Sequence, residues 1–247
     1  MMRRFNGSLA GVLCLISSAQ AGETVWLDKL DASTGHIPGP WRVIQLSKSV
    51  APTQYGLVRW DNVDAIEARA DKSMALLGRP VTVDLKRTPI LCWRWRIDAP
   101  LVTADLEQKS GDDFAARVYV AFTLPSSELG FTTRAKLMFA RSLYGDAVPD
   151  AAINYVWDNR YPVGTRRPNA YTDRTHMIVA ETGAAHAGRW MSARQDVQAD
   201  FAKAFGETQG RLSLLAVAAD TDNTGERAHS GFADFHFVAR DTACFAS

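Results

Sequence analysis

Short apolar or alternating segments rich in Val, Trp, Tyr and Phe recur along the chain, separated by clusters of Gly, Pro, Asn and Asp. No other feature restricts the fold as much, because period-two alternation over four to eight residues suits a half-buried strand and not a helix. The segments are 41–46, 56–60, 65–70, 81–85, 90–97, 114–123, 152–157, 176–182, 189–197, 212–219 and 232–239. They lack the helical spacers of βαβ units, so an antiparallel two-sheet sandwich is expected instead of a doubly wound sheet. One domain over residues 22–247 accommodates all of them, since sandwiches of this length are common as single units.

Two segments break the pattern. Across 132–143, Ala135, Met138, Phe139 and Leu143 recur at helical spacing, which predicts an inserted helix with that face on the sheet. Further on, Asp196 is placed to cap a short helix in which Val197, Phe201 and Phe205 repeat every four residues before Gly206 ends it. The stretch 160–175 reads as a long polar loop, a common carrier of function on a rigid sheet.

The N-terminus has the layout of a secretory signal. Arg3 and Arg4 precede an apolar run from Leu9 to Ile16, and Ala19-Gln20-Ala21 supplies a cleavage site before Gly22. The run is too short to span a bilayer, which takes about 20 apolar residues. Bulky Leu13 ahead of Cys14 argues against a lipid anchor. A periplasmic or secreted bacterial protein is therefore expected. In such a compartment Cys92 and Cys244 are candidates for a bridge that pins the tail to the sheet, the alternative being that Cys92 is simply a small buried hydrophobe. With 28 Lys and Arg against 27 Asp and Glu, bulk attraction to nucleic acid is not expected.

At Cys92-Trp93-Arg94-Trp95-Arg96-Ile97-Asp98 and Gly111-Asp112-Asp113-Phe114-Ala115-Ala116-Arg117-Val118-Tyr119-Val120 the chain resembles a bacterial family known as domain of unknown function 3047. Asn154-Tyr155-Val156-Trp157, Glu181-Thr182-Gly183, Trp190, Arg194-Gln195-Asp196-Val197, Phe205-Gly206 and Asp220-Thr221-Asp222-Asn223-Thr224 extend the resemblance. It implies an exported jelly-roll-like sandwich similar to carbohydrate-binding modules, and brings no catalytic residues with it.

Strand parity then sorts the candidate ligands. Phe114, Ala116, Val118, Val120 and Phe122 fall on one side, leaving Asp113, Arg117 and Tyr119 on the other. Trp93, Trp95 and Ile97 likewise oppose Arg94 and Arg96. If both strands share a sheet, Arg94, Arg96, Asp113, Arg117 and Tyr119 converge on an open face whose guanidinium forks suit a glycan or anionic small ligand. The competing reading pairs these arginines internally with Asp98, Asp113 or Glu181. Trp93, Trp95, Trp157 and Trp190 serve as sugar platforms only where they reach that face. Asp220, Asp222 and Asn223 offer hard oxygen ligands suited to Ca2+, and equally are turn formers.

Glycoside hydrolysis wants two carboxyl groups across a cleft, for which Asp112, Asp113, Glu181 and Asp234 are available. No G-x-S-x-G elbow, metal-type histidine pair, P-loop or dinucleotide fingerprint is present. The functional expectation is a binding module for a glycan or other polar ligand. The alternatives are a glycan-active hydrolase or lyase on the same face and a structural or interaction protein of the envelope.

Overall fold

The computed structural model describes residues 23–144, 148–206 and 209–245, so the secretory signal lies outside the described residues. Chain order is β1 (Thr24–Trp26), β2 (Arg42–Ile44), β3 (Gln54–Trp60), β4 (Val63–Asp71), β5 (Leu76–Pro80), β6 (Ile90–Ile97), β7 (Arg117–Thr123), α1 (Phe131–Tyr144), β8 (Ala151–Asp158), β9 (Arg166–Asn169), β10 (Thr172–Thr182), β11 (Met191–Asp196), α2 (Val197–Phe205), β12 (Arg211–Ala218) and β13 (Arg227–Val238). They form a two-sheet β-sandwich. Sheet I runs β11-β6-β13-β4-β3 with β1 added beside β13, and sheet II runs β2-β5-β12-β7-β8-β10-β9.

The inward faces are set by alternation. Trp93, Trp95, Ile97, Phe232 and Phe237 from sheet I meet Val118, Val120, Phe122, Tyr155 and Trp157 from sheet II in one continuous core. Three indoles mesh there, Trp93 with Trp95 at 5.3 Å and Trp95 with Trp157 at 5.6 Å between ring centroids. These are core side chains, at most 1% exposed. Burial of this kind contributes about 25 cal/mol per Å² of apolar surface and is the main stabilising term.

Several local expectations are corrected. The sandwich is not wholly antiparallel: β10 runs parallel to β8, because the chain leaving β8 first passes through β9 and then inserts β10 between the two. The stretch 160–175 thus holds an edge hairpin, not a structureless loop. Residues 81–85 are not a strand; the adjacent Leu76–Pro80 is, despite its Gly and Pro. Gly78 sits under Ile44, Leu214 and Ala216, whose side chains would lie 2.8–3.4 Å from an added Cβ, so a residue of low β-propensity is accommodated by close packing on this face.

The helix at 132–143 is present but turned over. Met138 and Phe139 are exposed at 71% and 66%, as is Phe131, while Leu137 is buried. Periodicity located the helix but not which stripe the sheet would accept. By contrast α2 forms as its caps dictate, with Asp196 Oδ1 accepting from the Ala199 amide at 2.9 Å and Val197 and Phe201 buried. Cys92 and Cys244 are disulfide-bonded, tying the C-terminal segment to the outer side of sheet I. Among the described residues no helix is long and apolar enough to cross a membrane.

Candidate functional site

The outer face of sheet I is shaped by two departures from regular pairing. The β3–β4 hairpin turns on Asp61 and Asn62, at φ 50° and 62°, which is the two-residue turn that matches strand twist. A register shift in β13 between Ala233 and His236 leaves Asp234 at φ 59° in a bulge, aiming its carboxylate outward beside Arg94. Between these features and β1 lies an open groove of about 300 Å³, lined by Trp26, Lys29, Asn62, Asp64, Arg94 and Asp234. One face of Trp26 stacks on His236 at 4.2 Å, and 45% of its surface stays exposed. Arg94 pairs with Asp234.

Beside the groove, Gly231 lets Trp190 and Trp60 approach the sheet closely, since a Cβ would meet Trp190 at 2.8 Å and Trp60 at 3.2 Å. The Arg96 guanidinium sits 3.9 Å from the Trp60 ring centroid and pairs with Asp61. His229 stacks on Trp60 and reaches Glu67 at 2.9 Å and Asp98 at 2.7 Å. Burial alone would raise the Glu67 carboxyl, but hydrogen bonds from Arg69 and His229 hold it below its ordinary value.

The outer face of sheet II is covered over β8 and β10, beside β7. Leu106 and Phe114, from the segment leading to β7, pack onto Val156, Met177 and Val179 and cover the sheet. Beneath them Arg117, only 2% exposed, contacts Asp220 at 3.1 Å, Asp112 at 3.3 Å and the Tyr119 hydroxyl at 2.5 Å. Asp113 Oδ2 accepts from the Thr224 amide and hydroxyl at 2.6 and 2.8 Å. Burial pushes Asp220 well above the usual carboxylate range, with Arg117 opposing and Asp113 and Asp112 adding to the shift. It also raises Asp113, and it lifts the Tyr119 phenol to about 12. Desolvation works against the charge on Arg117, yet Asp220 and its neighbours keep the guanidinium protonated.

The predicted ligand set is therefore divided. Arg94 and Arg96 belong to β6 in sheet I, whereas Arg117 and Tyr119 belong to β7 in sheet II, so side chains that avoid the common core point away from each other. Parity excluded them from the core correctly but does not unite them. Arg96, Asp113 and Arg117 are buried, and only Arg94 of the set lines the groove. Phe114 lies outside β7, on the outer side of sheet II, contrary to its assignment to the core face. Trp190 is half-buried on sheet I. Of the acids, Asp112 and Asp113 sit under the sheet II cover, Glu181 faces His186 at 3.2 Å, and Asp234 rims the groove. Asn223 is exposed and donates to the Tyr171 hydroxyl at 3.1 Å, while a carboxylate oxygen from each of Asp113, Asp220 and Asp222 lies within 4.8 Å of the others. Trp26, Asn62 and Asp64 were not singled out by sequence reasoning, although the Asp61-Asn62 turn signal between Trp60 and Val63 was present.

Residues 39–236 match the sequence profile described as "Protein of unknown function (DUF3047)". The chain belongs to this family. No curated protein matches it. Among solved structures, this family member is similar to a meso-active thermostable cellulase derived from Cel12A of Rhodothermus marinus, at 11% identity and a TM-score of 0.36, covering 87% of this chain and 100% of that one. It is also similar to the xyloglucanase domain of NopAA, a type three effector from Sinorhizobium fredii, in complex with cellobiose, at 7% identity and a TM-score of 0.37, covering 82% and 99% of the two chains.

Proposed function

We propose that this is an exported, single-domain envelope protein that binds a glycan in the groove beside Trp26 and Arg94. The observation that carries the reading is that groove: about 300 Å³, open, with an exposed indole at one side and Asn62, Asp64, Arg94 and Asp234 around it. Sugars present C–H faces that rest on an indole and hydroxyls that pair with carboxylates, amides and guanidinium groups, the mix of apolar platform and few polar groups typical of small-ligand sites. Asp64 and Asp234 balance Lys29 and Arg94 around the groove, and the further acid Asp28 is paired with Arg79, which favours a neutral polyhydroxylated ligand over a polyanion. Binding is preferred to hydrolysis because the carboxyls raised by burial, Asp113, Asp158 and Asp220, are not among the groove residues. The leader pattern and the Cys92–Cys244 bridge support export.

A glycan array on protein starting at Gly22, with product analysis of every hit, tests this. Arg94→Met is expected to weaken a hit by about one to two decades, the equivalent of about 1.5–3 kcal/mol for a charge-assisted contact, and Trp26→Ala to weaken it through loss of the apolar platform. Undiminished binding by both variants, or no hit among neutral glycans, defeats the reading.

A second reading, interaction at the envelope surface, is favoured by α1. Its exposed Phe131, Met138 and Phe139 are flanked by exposed Arg134 and Lys136, a basic amphipathic pattern suited to an anionic lipid surface. Sedimentation with phosphatidylglycerol vesicles, lost in Phe139→Ser, supports it; no sedimentation removes it.

A further inference from the structure

The loop between β12 and β13 joins the segment before β7 in gathering more carboxyl groups than the cations in contact with them. Asp220 and Asp113 are 2% and 0% exposed, Asp222 is half-buried, and one carboxylate oxygen of each lies within 4.8 Å of the other two. Arg117 is the guanidinium in contact, and it is shared between Asp220 and Asp112. Turn geometry by itself would account for an Asp-rich loop. It does not account for Asp113 Oδ1, which is fully buried and has no hydrogen-bond partner while Oδ2 takes both bonds from Thr224. A carboxylate oxygen withdrawn from water without a donor is costly unless a cation faces it.

We propose that Asp113, Asp220 and Asp222 bind a calcium ion that fastens the 219–226 loop to the segment entering β7. The donors are hard carboxylate oxygens, with no histidine or cysteine in the group, which selects against zinc. Calcium accepts six to eight oxygens in irregular geometry, whereas magnesium keeps a near-octahedral shell with several waters that a fully buried Asp113 does not suit. Two of the three ligands follow from the Asp-Thr-Asp pattern of the loop; the third comes from 107 residues earlier in the chain, so that the ion would join distant segments. The site lies on sheet II, away from the groove on sheet I, so calcium binding and glycan binding stand or fall separately.

The test uses protein beginning at Gly22, stripped with chelator and titrated calorimetrically with calcium chloride, with terbium luminescence as a second readout. The expected result is one calcium per chain, displacement of bound terbium by calcium, and a rise in melting temperature through binding to the native state. Asp113→Asn and Asp222→Asn should each weaken calcium binding by roughly tenfold or more, because affinity follows the count of charged ligands. In chelator, Asp113→Asn should be at least as stable as the parent at neutral pH, since the amide still accepts from Thr224 and no charge is buried. A purely structural role for Asp113 predicts the reverse. If Asp113→Asn does not fold, the half-exposed Asp222→Asn decides. Folded, stripped protein that binds neither calcium nor terbium at millimolar concentration overturns the proposal, as do variants that bind calcium as tightly as the parent.

Discussion

The outer faces of the two sheets began from the same kind of sequence and met different fates. On sheet I, Arg94 keeps 34% of its side chain exposed and pairs with Asp234 at the rim of an open groove. On sheet II, Arg117 keeps 2% and is enclosed by Asp112, Asp220, Phe114 and Tyr119. Each is an arginine on the non-core side of a central strand. What separates them is the segment before β7, which folds back over sheet II and brings Leu106 and Phe114 down as a lid of apolar side chains. An outward-pointing charge is a surface group only if nothing crosses above it.

The two arginines should differ most when their charge is removed. Arg117→Met should destabilise the protein by about 3–5 kcal/mol, because it leaves Asp220 and Asp112 buried without their cation. Arg94→Met should cost no more than about 1 kcal/mol, since water and salt screen its partly exposed pair with Asp234. Urea denaturation of both variants measures the difference. Equal losses would mean that the covering segment does not exclude water from sheet II.

A smaller effect concerns pH, where the two faces should carry opposite signs. Glu67 on sheet I has a folded-state pKa below its ordinary 4.5, so the stability it contributes is present above that value and disappears as pH falls through the lower folded one. Asp113 has a folded-state pKa above its ordinary 3.8, so in calcium-free protein the folded form holds its proton more tightly and stability declines as pH rises from about 3.8 through the raised value. Thermal melts in chelator from pH 3 to 7 should therefore show parent and Glu67→Gln converging toward acid, while parent and Asp113→Asn diverge toward neutrality. The Glu67 contribution should stay within about 1 kcal/mol because its partner Arg69 is 59% exposed. Parallel curves for both pairs would show that neither carboxyl differs between folded and unfolded chains.

Sequence reasoning went furthest where one strand or one helix end contains its own instructions. Alternation in Ile90–Ile97 and Arg117–Thr123 correctly identified Trp93, Trp95, Val118 and Val120 as core, because a strand's side chains must alternate whatever it pairs with. Asp196 and Gly206 bounded α2 for the same reason: a cap acts on amides two or three residues away. The Asp220-Asp222 pair was visible as a run of hard oxygens. The lid over Arg117, the separation of Arg94 from Arg117, the exposed stripe of α1 and the parallel entry of β10 were not legible. Neither was the third carboxylate, Asp113, nor the association of Trp26 with Arg94 and Asp234. Each depends on which segments become neighbours across sheets or long stretches of chain. Local geometry is written in alternation and caps; the company a side chain keeps is settled only when two sheets choose their partners and the loops fall across them.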